Sequence, residues 1–167
     1  MRDPRFVTGP SILDRIADIE SRLTTLEGGQ RSVTHCYISN SGAVSIPDAA
    51  TTAVTFDTDD SDPDDMHDTG SNTDRITIPT DLAGWYHVEG YGFFAAAGGG
   101  SLRLLQITVN GAAVLRHRHP VVGERLTISG EILLADADIV RLTAYQDSGG
   151  ALNLDNSELR ITQIFRT

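Results

Sequence analysis

The stretch Gly84-Trp85-Tyr86-His87-Val88-Glu89-Gly90-Tyr91-Gly92-Phe93-Phe94 decides how the rest of the chain is read. Aromatic and β-branched residues favour strands, and successive side chains of a strand point to opposite faces. Tyr86 and Val88 therefore belong to one face, suited to a core. Trp85, His87, Tyr91 and Phe93 fall on the other face, as a row of rings turned outward. Such a row is a liability for a solitary protein and is natural where a second copy covers it. A ligand groove along the same face is the alternative.

Working outward from this stretch, the period-two pattern recurs. It predicts strands over 33–38, 53–56, 75–78, 84–94, 102–109, 113–117, 125–134, 139–146 and 158–166, separated by turn clusters. Asn110-Gly111 is a strong hairpin signal, and Gly98-Gly99-Gly100 and Ser148-Gly149-Gly150 end their strands. Many short, regularly spaced strands argue for a sandwich or barrel over residues 33–167.

Upstream of residue 33 the period changes. Ser11, with Asp14 three residues on, is a capping box, and Gly28-Gly29 is the stop. Between them Ile12, Ile16, Ile19, Leu23 and Leu26 recur at alternating spacings of four and three, which is the seam of a coiled coil. Arg15 and Arg22 flank the seam on one side and Glu20 and Glu27 on the other, where they can pair between chains. This repeated Arg-apolar-x-x-apolar-Glu pattern resembles the trimerisation signature of short parallel coiled coils. A helix of about 24 Å is marginal alone, so the head is expected to trimerise as well. The expected organisation is thus an anchor peptide over 1–10, a coil over 11–28, a linker over 29–32 and a β head over 33–167.

The head resembles a known family. Ile76-Thr77-Ile78-Pro79 followed by Gly84-Trp85-Tyr86 is similar to the "Ile-x-Ile-Pro … Gly-x-Tyr" core strand of C1q/TNF-like jelly rolls. Ile107-Thr108-Val109-Asn110-Gly111 resembles the strand and turn that follow. Asp138-Ile139-Val140-Arg141-Leu142 with Tyr145-Gln146-Asp147-Ser148-Gly149 resembles the late "Asp-x-Val-x-Leu … Tyr-Gln-x-Ser-Gly" strand, and Leu159 to Ile164 sits where the closing strand belongs. Val88 and Gly90 stand where bulky aromatics are usual, which favours the bacterial and phage variants over the animal C1q subfamily. The resemblance implies an all-β jelly roll packed as a tight homotrimer, and it leaves room for calcium, which some such heads bind.

Composition excludes several functions. The net charge of −10 speaks against nucleic-acid binding, which needs clustered basic groups. No run of about 18 apolar residues is present to insert into a membrane. Residues 1–10 carry no apolar stretch of the signal-peptide kind. The lone Cys36 cannot form an intrachain disulfide and is expected in a strand.

Two constellations could carry chemistry. Gly111-x5-His117-x-His119-x4-Glu124-x5-Gly130 nearly reproduces a cupin metal motif, in which two His and a Glu hold iron, manganese or zinc for an oxygenase or isomerase. Its last spacing is one residue short, and no histidine follows His119 to complete the ligand set. The second is the acidic run Asp57, Asp59, Asp60, Asp62, Asp64, Asp65 and Asp68, of which Asp59, Asp62 and Asp64 are the candidate calcium ligands. It lacks the glycine and terminal glutamate of an EF-hand and reads by default as a solvated loop. No catalytic residues and no resident cofactor are expected. The expected function is a trimeric virion structural protein: a capsid decoration or tail knob anchored through residues 1–10, projecting its head toward a host glycan or protein. The alternatives are the cupin-like enzyme and a bacterial C1q-like adhesion ligand.

Overall fold

Ser11 opens the helix α1 (Ile12–Gly28) through a reciprocal cap. Its hydroxyl accepts from the Asp14 amide at 3.1 Å, while the Asp14 carboxylate accepts the Ser11 amide at 2.9 Å and the Ser11 hydroxyl at 2.8 Å. Those bonds hold Asp14 below the ordinary carboxylate range. In this computed structural model the described residues are 11–28, 33–95, 99–120 and 125–166, with the backbone alone described for 23–28. The chain divides into two compact units, Met1–Ser32 and Val33–Thr167. On the helix, Ile12 is 77% exposed, Ile16 46% and Ile19 60%. Arg22 lies 3.9 Å from Asp18 one turn back, so its observed partner is within the helix.

Among the described residues the second unit has eleven strands: β1 (His35–Ser39), β2 (Val44–Ile46), β3 (Thr52–Ala53), β4 (Thr58–Ser61), β5 (Ile76–Thr77), β6 (Gly84–Phe94), β7 (Arg103–Val109), β8 (Ala112–His119), β9 (Arg125–Leu134), β10 (Ile139–Gln146) and β11 (Leu152–Arg166). They form two sheets. Sheet A runs β4-β1-β11-β6-β9, with β2 also on β11; sheet B runs β3-β10-β7-β8, with β5 also on β10. All these pairings are antiparallel, and the chain crosses between sheets at each step from β8 to β11. The result is a jelly-roll sandwich.

Alternation places the core between the layers. In β6, Tyr86, Val88 and Phe94 are buried and His87 is exposed; Leu105, Ile107, Leu142 and Ala144 line sheet B from within. Gly90 sits where the sheets come closest. A Cβ there would lie 2.7 Å from Leu142 Cδ1 and 3.0 Å from both Ile107 Cδ1 and Ile128 Cγ2, so the bulky residue usual in the C1q subfamily has no room. The Asn110-Gly111 turn joins β7 to β8 with both φ positive, 50° and 83°, as a two-residue hairpin of this twist requires. Asn110 also donates to Asp138 Oδ1 at 2.7 Å and accepts from the Ile139 amide at 3.0 Å, tying the turn to the start of β10.

Two expectations needed correction. The acidic run is not all loop: β4 lies inside it, pairing Thr58, Asp59 and Ser61 with β1. It is an edge strand, where outward carboxylates remain in water. The last strand begins at Leu152, earlier than 158, because Leu152 and Leu154 alternate into the core beside β2 and β6.

Candidate functional site

The outward face of sheet A has two halves. At one end Trp85 lies across from Leu133 of β9 and Phe165 of β11, its ring 6.5 Å from the Phe165 ring. Leu133, Ile164 and Phe165 are 53%, 49% and 56% exposed, an apolar patch uncovered among the described residues of the head. One row on, His87 stands between Glu131 and Thr162. The other half is polar. A groove of about 440 Å³ runs among Glu89, Tyr91, Arg125, Asn156, Glu158 and Arg160. Arg160 donates to Glu158 at 2.7 Å and covers the Tyr37 ring at 4.0 Å. Of the rings expected on this face, Trp85, Tyr91 and Phe93 are half-buried and His87 is exposed, so all four do leave the core.

The acidic run surrounds a buried histidine that sequence reasoning missed. His67 donates from Nδ1 to Asp59 Oδ1 at 2.5 Å and points Nε2 at the Thr73 carbonyl 3.3 Å away; its own amide donates to Asp62 Oδ2 at 2.8 Å. The ring meets Phe56 edge-on. Beside it opens a polar cleft of about 470 Å³ with Asp59, Asp65, Asp68, Asn72 and Arg75 on its walls. Asp62 Oδ1 and Asp64 Oδ2 are enclosed without a hydrogen-bond partner among the described residues. Asp62 and Asp59 lie near Cys36, whose buried thiol is pushed well above its ordinary range, chiefly by desolvation and then by their charges. No three His, Cys, Asp or Glu side chains among the described residues are grouped as a cation would need. The link between His67 and Asp59 depends on the course of the loop that returns His67 to β4, and nothing local in the sequence marks it.

Of the near-cupin residues, His117 and His119 are on β8, the edge strand of sheet B, and Glu124 lies outside the described residues. His117 donates from Nδ1 to the Thr127 carbonyl of β9 at 2.6 Å, linking the open edges of the two sheets. That bond gives it a structural role.

The motif residues read as a family signature have mechanical duties. The Tyr86 hydroxyl donates to the Leu82 carbonyl at 2.6 Å from a fully buried ring, and burial pushes its pKa up to about 12. Gln146, fully buried, donates to the Ile46 and Gly150 carbonyls at 3.0 and 2.7 Å and accepts from the Ser148 amide at 2.7 Å. Asp147 accepts from Ser101 twice and from the Leu102 amide, bonds that keep its carboxyl below the ordinary range. Next to it Arg103, 1% exposed, donates to the Leu102 and Gly99 carbonyls at 2.9 and 3.0 Å. These residues hold loops in place.

No family model and no curated protein matches the sequence. Solved structures do match the fold. The globular domain of zebrafish complement 1qA aligns at TM-score 0.58 and 14% identity over 80% of this chain and 99% of that one. Eiger TNF from S. frugiperda aligns at 0.59 and 11% over 82% and 96%. The vertex protein P5 of PRD1 aligns at 0.60 and 16% over 81% and 100%. The head is a C1q/TNF-type jelly roll. At these identities the likeness speaks for the fold alone, and none of the three names describes an enzyme. The jelly-roll fold agrees with the fold expected from the Gly-x-Tyr and Tyr-Gln-x-Ser-Gly strands.

Proposed function

We infer that the protein is a homotrimeric structural component of a virion, with a short coil holding three chains in register and the jelly-roll head projecting outward for attachment to a host surface. The observation that carries this reading is the uncovered apolar end of sheet A, made by Trp85, Leu133, Ile164 and Phe165. An exposed patch of that kind marks an interaction surface. The exposed Ile12, Ile16 and Ile19 seam points to the same self-association. Three identical patches meeting around an axis would bury both features with one stoichiometry. The virion part draws support from the likeness to a vertex protein, and residues 1–10 would then seat the trimer on capsid or tail.

Light scattering of the full chain tests the assembly. The expected mass is that of three 18.0 kDa chains, held at micromolar concentration. A stable monomer at that concentration would sink the reading. Capsid and tail genes on either side of the coding sequence would support the virion part; a neighbouring secretion system would favour the adhesion ligand instead.

A further inference from the structure

The outward face of sheet B is built for something other than self-association. Because Leu142, Ala144, Leu105 and Ile107 point into the core, β10 turns Arg141, Thr143 and Tyr145 outward and β7 turns Leu104, Gln106 and Thr108 outward. Register then sets Arg116 of β8 beside Gln106, and Gln106 beside Thr143, in one row. The next row is Arg118, Leu104 and Tyr145, and on the other side Arg141 lies across from Thr108.

This face is basic in a chain of net charge −10. The strands β7, β8 and β10 contain no Asp or Glu. Asp74 is the carboxylate observed against them, and it accepts from both Arg141 at 2.7 Å and Arg75 at 2.9 Å. Two guanidinium groups thus share that acid. Arg116 and Arg118 are exposed, with no partner among the described residues. The floor between them is polar and closely packed: Gln106, Thr108 and Thr143 are 9%, 7% and 8% exposed. Thr143 Oγ1 is buried with no hydrogen-bond partner among the described residues. A buried hydroxyl left unpaired costs free energy, and a ligand oxygen at this spot would remove that cost.

We propose that this face binds an anionic glycan, a polysaccharide bearing carboxylate or sulfate groups. The proposal rests on the attachment reading above and names what is attached to. Strand geometry puts Arg116 about 7 Å from Arg118 and about 10 Å from Thr143, a spread suited to an extended chain of acidic sugars. Guanidinium groups take the acid oxygens in paired hydrogen bonds. Gln106, Thr143 and the Tyr145 ring offer partners for hydroxyls and sugar faces. A protein partner would want an apolar centre to the patch, and the apolar outward residues of β7, β8 and β10, which are Leu104, Ala112, Ala113, Val114 and Ile139, leave the Arg116–Gln106–Thr143 row polar.

Biolayer interferometry on the full chain tests this with dextran sulfate, polygalacturonate and neutral dextran as probes. Both polyanions should bind, more weakly as salt rises, and dextran should not. Arg116→Glu, or Arg116→Gln if the reversal disturbs folding, should weaken binding about tenfold, the scale of a charge-assisted hydrogen bond. Arg166→Glu, an equal charge change at the exposed end of β11, should have little effect. Thr143→Val should weaken binding several-fold and leave its salt dependence unchanged. Equal losses from Arg116→Glu and Arg166→Glu, absence of binding to both polyanions at low salt, or duplex DNA bound as tightly as dextran sulfate would overturn the proposal. Light scattering on the same samples separates the two readings. A trimer that ignores polyanions sinks only the glycan, and a monomer that binds them sinks only the trimer.

Discussion

The two outward faces of the sandwich share one fold and one alternation rule, yet they differ in kind. Sheet A exposes Trp85, Leu133, Ile164 and Phe165 at one end and a polar groove with Glu89 and Glu158 at the other. Sheet B exposes Arg116 and Arg118 over a floor of Gln106, Thr108 and Thr143. An apolar patch gains by leaving water and suits a permanent partner, whereas partnerless arginines gain little from burial and keep a face wet. The difference teaches that in such a sandwich the inner faces decide the fold, while each outer face is free to evolve its own partner.

The largest effect expected from breaking that contrast is on assembly. Trp85→Glu combined with Phe165→Glu should convert the trimer to monomer, with association weakened by about a hundredfold or more, since two aromatic anchors of an interface are removed. Arg116→Glu should leave the trimer intact. Light scattering across a dilution series reads both, and a double mutant that stays trimeric would refute the division of labour between faces.

A smaller effect is expected where the two sheets touch. Gly90→Val drives a side chain into Leu142, Ile107 and Ile128 and should cost about 1–3 kcal/mol, seen as a fall of several degrees in Tm. An unchanged Tm would mean that the layers spread freely and that the faces are not held at a fixed separation.

The smallest concerns the acid within the basic face. Partial burial pushes Asp74 up, but the hydrogen bonds and charges of Arg141 and Arg75 outweigh it and hold the carboxyl below the ordinary range. A carboxyl lowered in the folded state stabilises above its unfolded pKa of about 4, and the benefit disappears as pH falls through the lowered value. Asp74→Asn should therefore cost about 0.5–1 kcal/mol at pH 7, and the deficit should shrink as the pH drops below 4. Urea midpoints at pH 7, 4 and 2.5 measure it. A constant deficit would assign the loss to packing instead of charge.

Local signals in the sequence carried much of the fold. The span of β6, its facing, and the β7–β8 hairpin follow from period-two alternation and from Asn110-Gly111, which act over a few residues. What stayed hidden depends on partners far along the chain. β4 is polar because it is an edge, so its pairing with β1 leaves no apolar trace. Leu152 and Leu154 did alternate, but Asn153, Asp155 and Asn156 around them read as a turn. The basic face was visible only as an Arg-His-Arg-His run. Which pair of that run points outward is settled by the neighbouring Leu115, which packs against the core and so turns Arg116 and Arg118 away from it. The buried partners in the pairs His67–Asp59 and Arg103–Asp147 meet their carboxylates through loops whose course no local pattern marks.

The strand β11 lies at the centre of sheet A, with β6 on one side and β1 and β2 on the other, although it comes after all of them in the chain. On a ribosome, β2 must therefore wait unpaired until 152–166 has emerged, and β1 and β6, though able to pair with β4 and β9, must wait for their second neighbour. Half the sandwich stays open through nearly all of synthesis, since its contacts are long-range ones that form slowly. The helix, made first, is free to find other copies during that wait. Loss of the last strand would leave sheet A without its middle, so a chain cut short before it should aggregate instead of forming a smaller head.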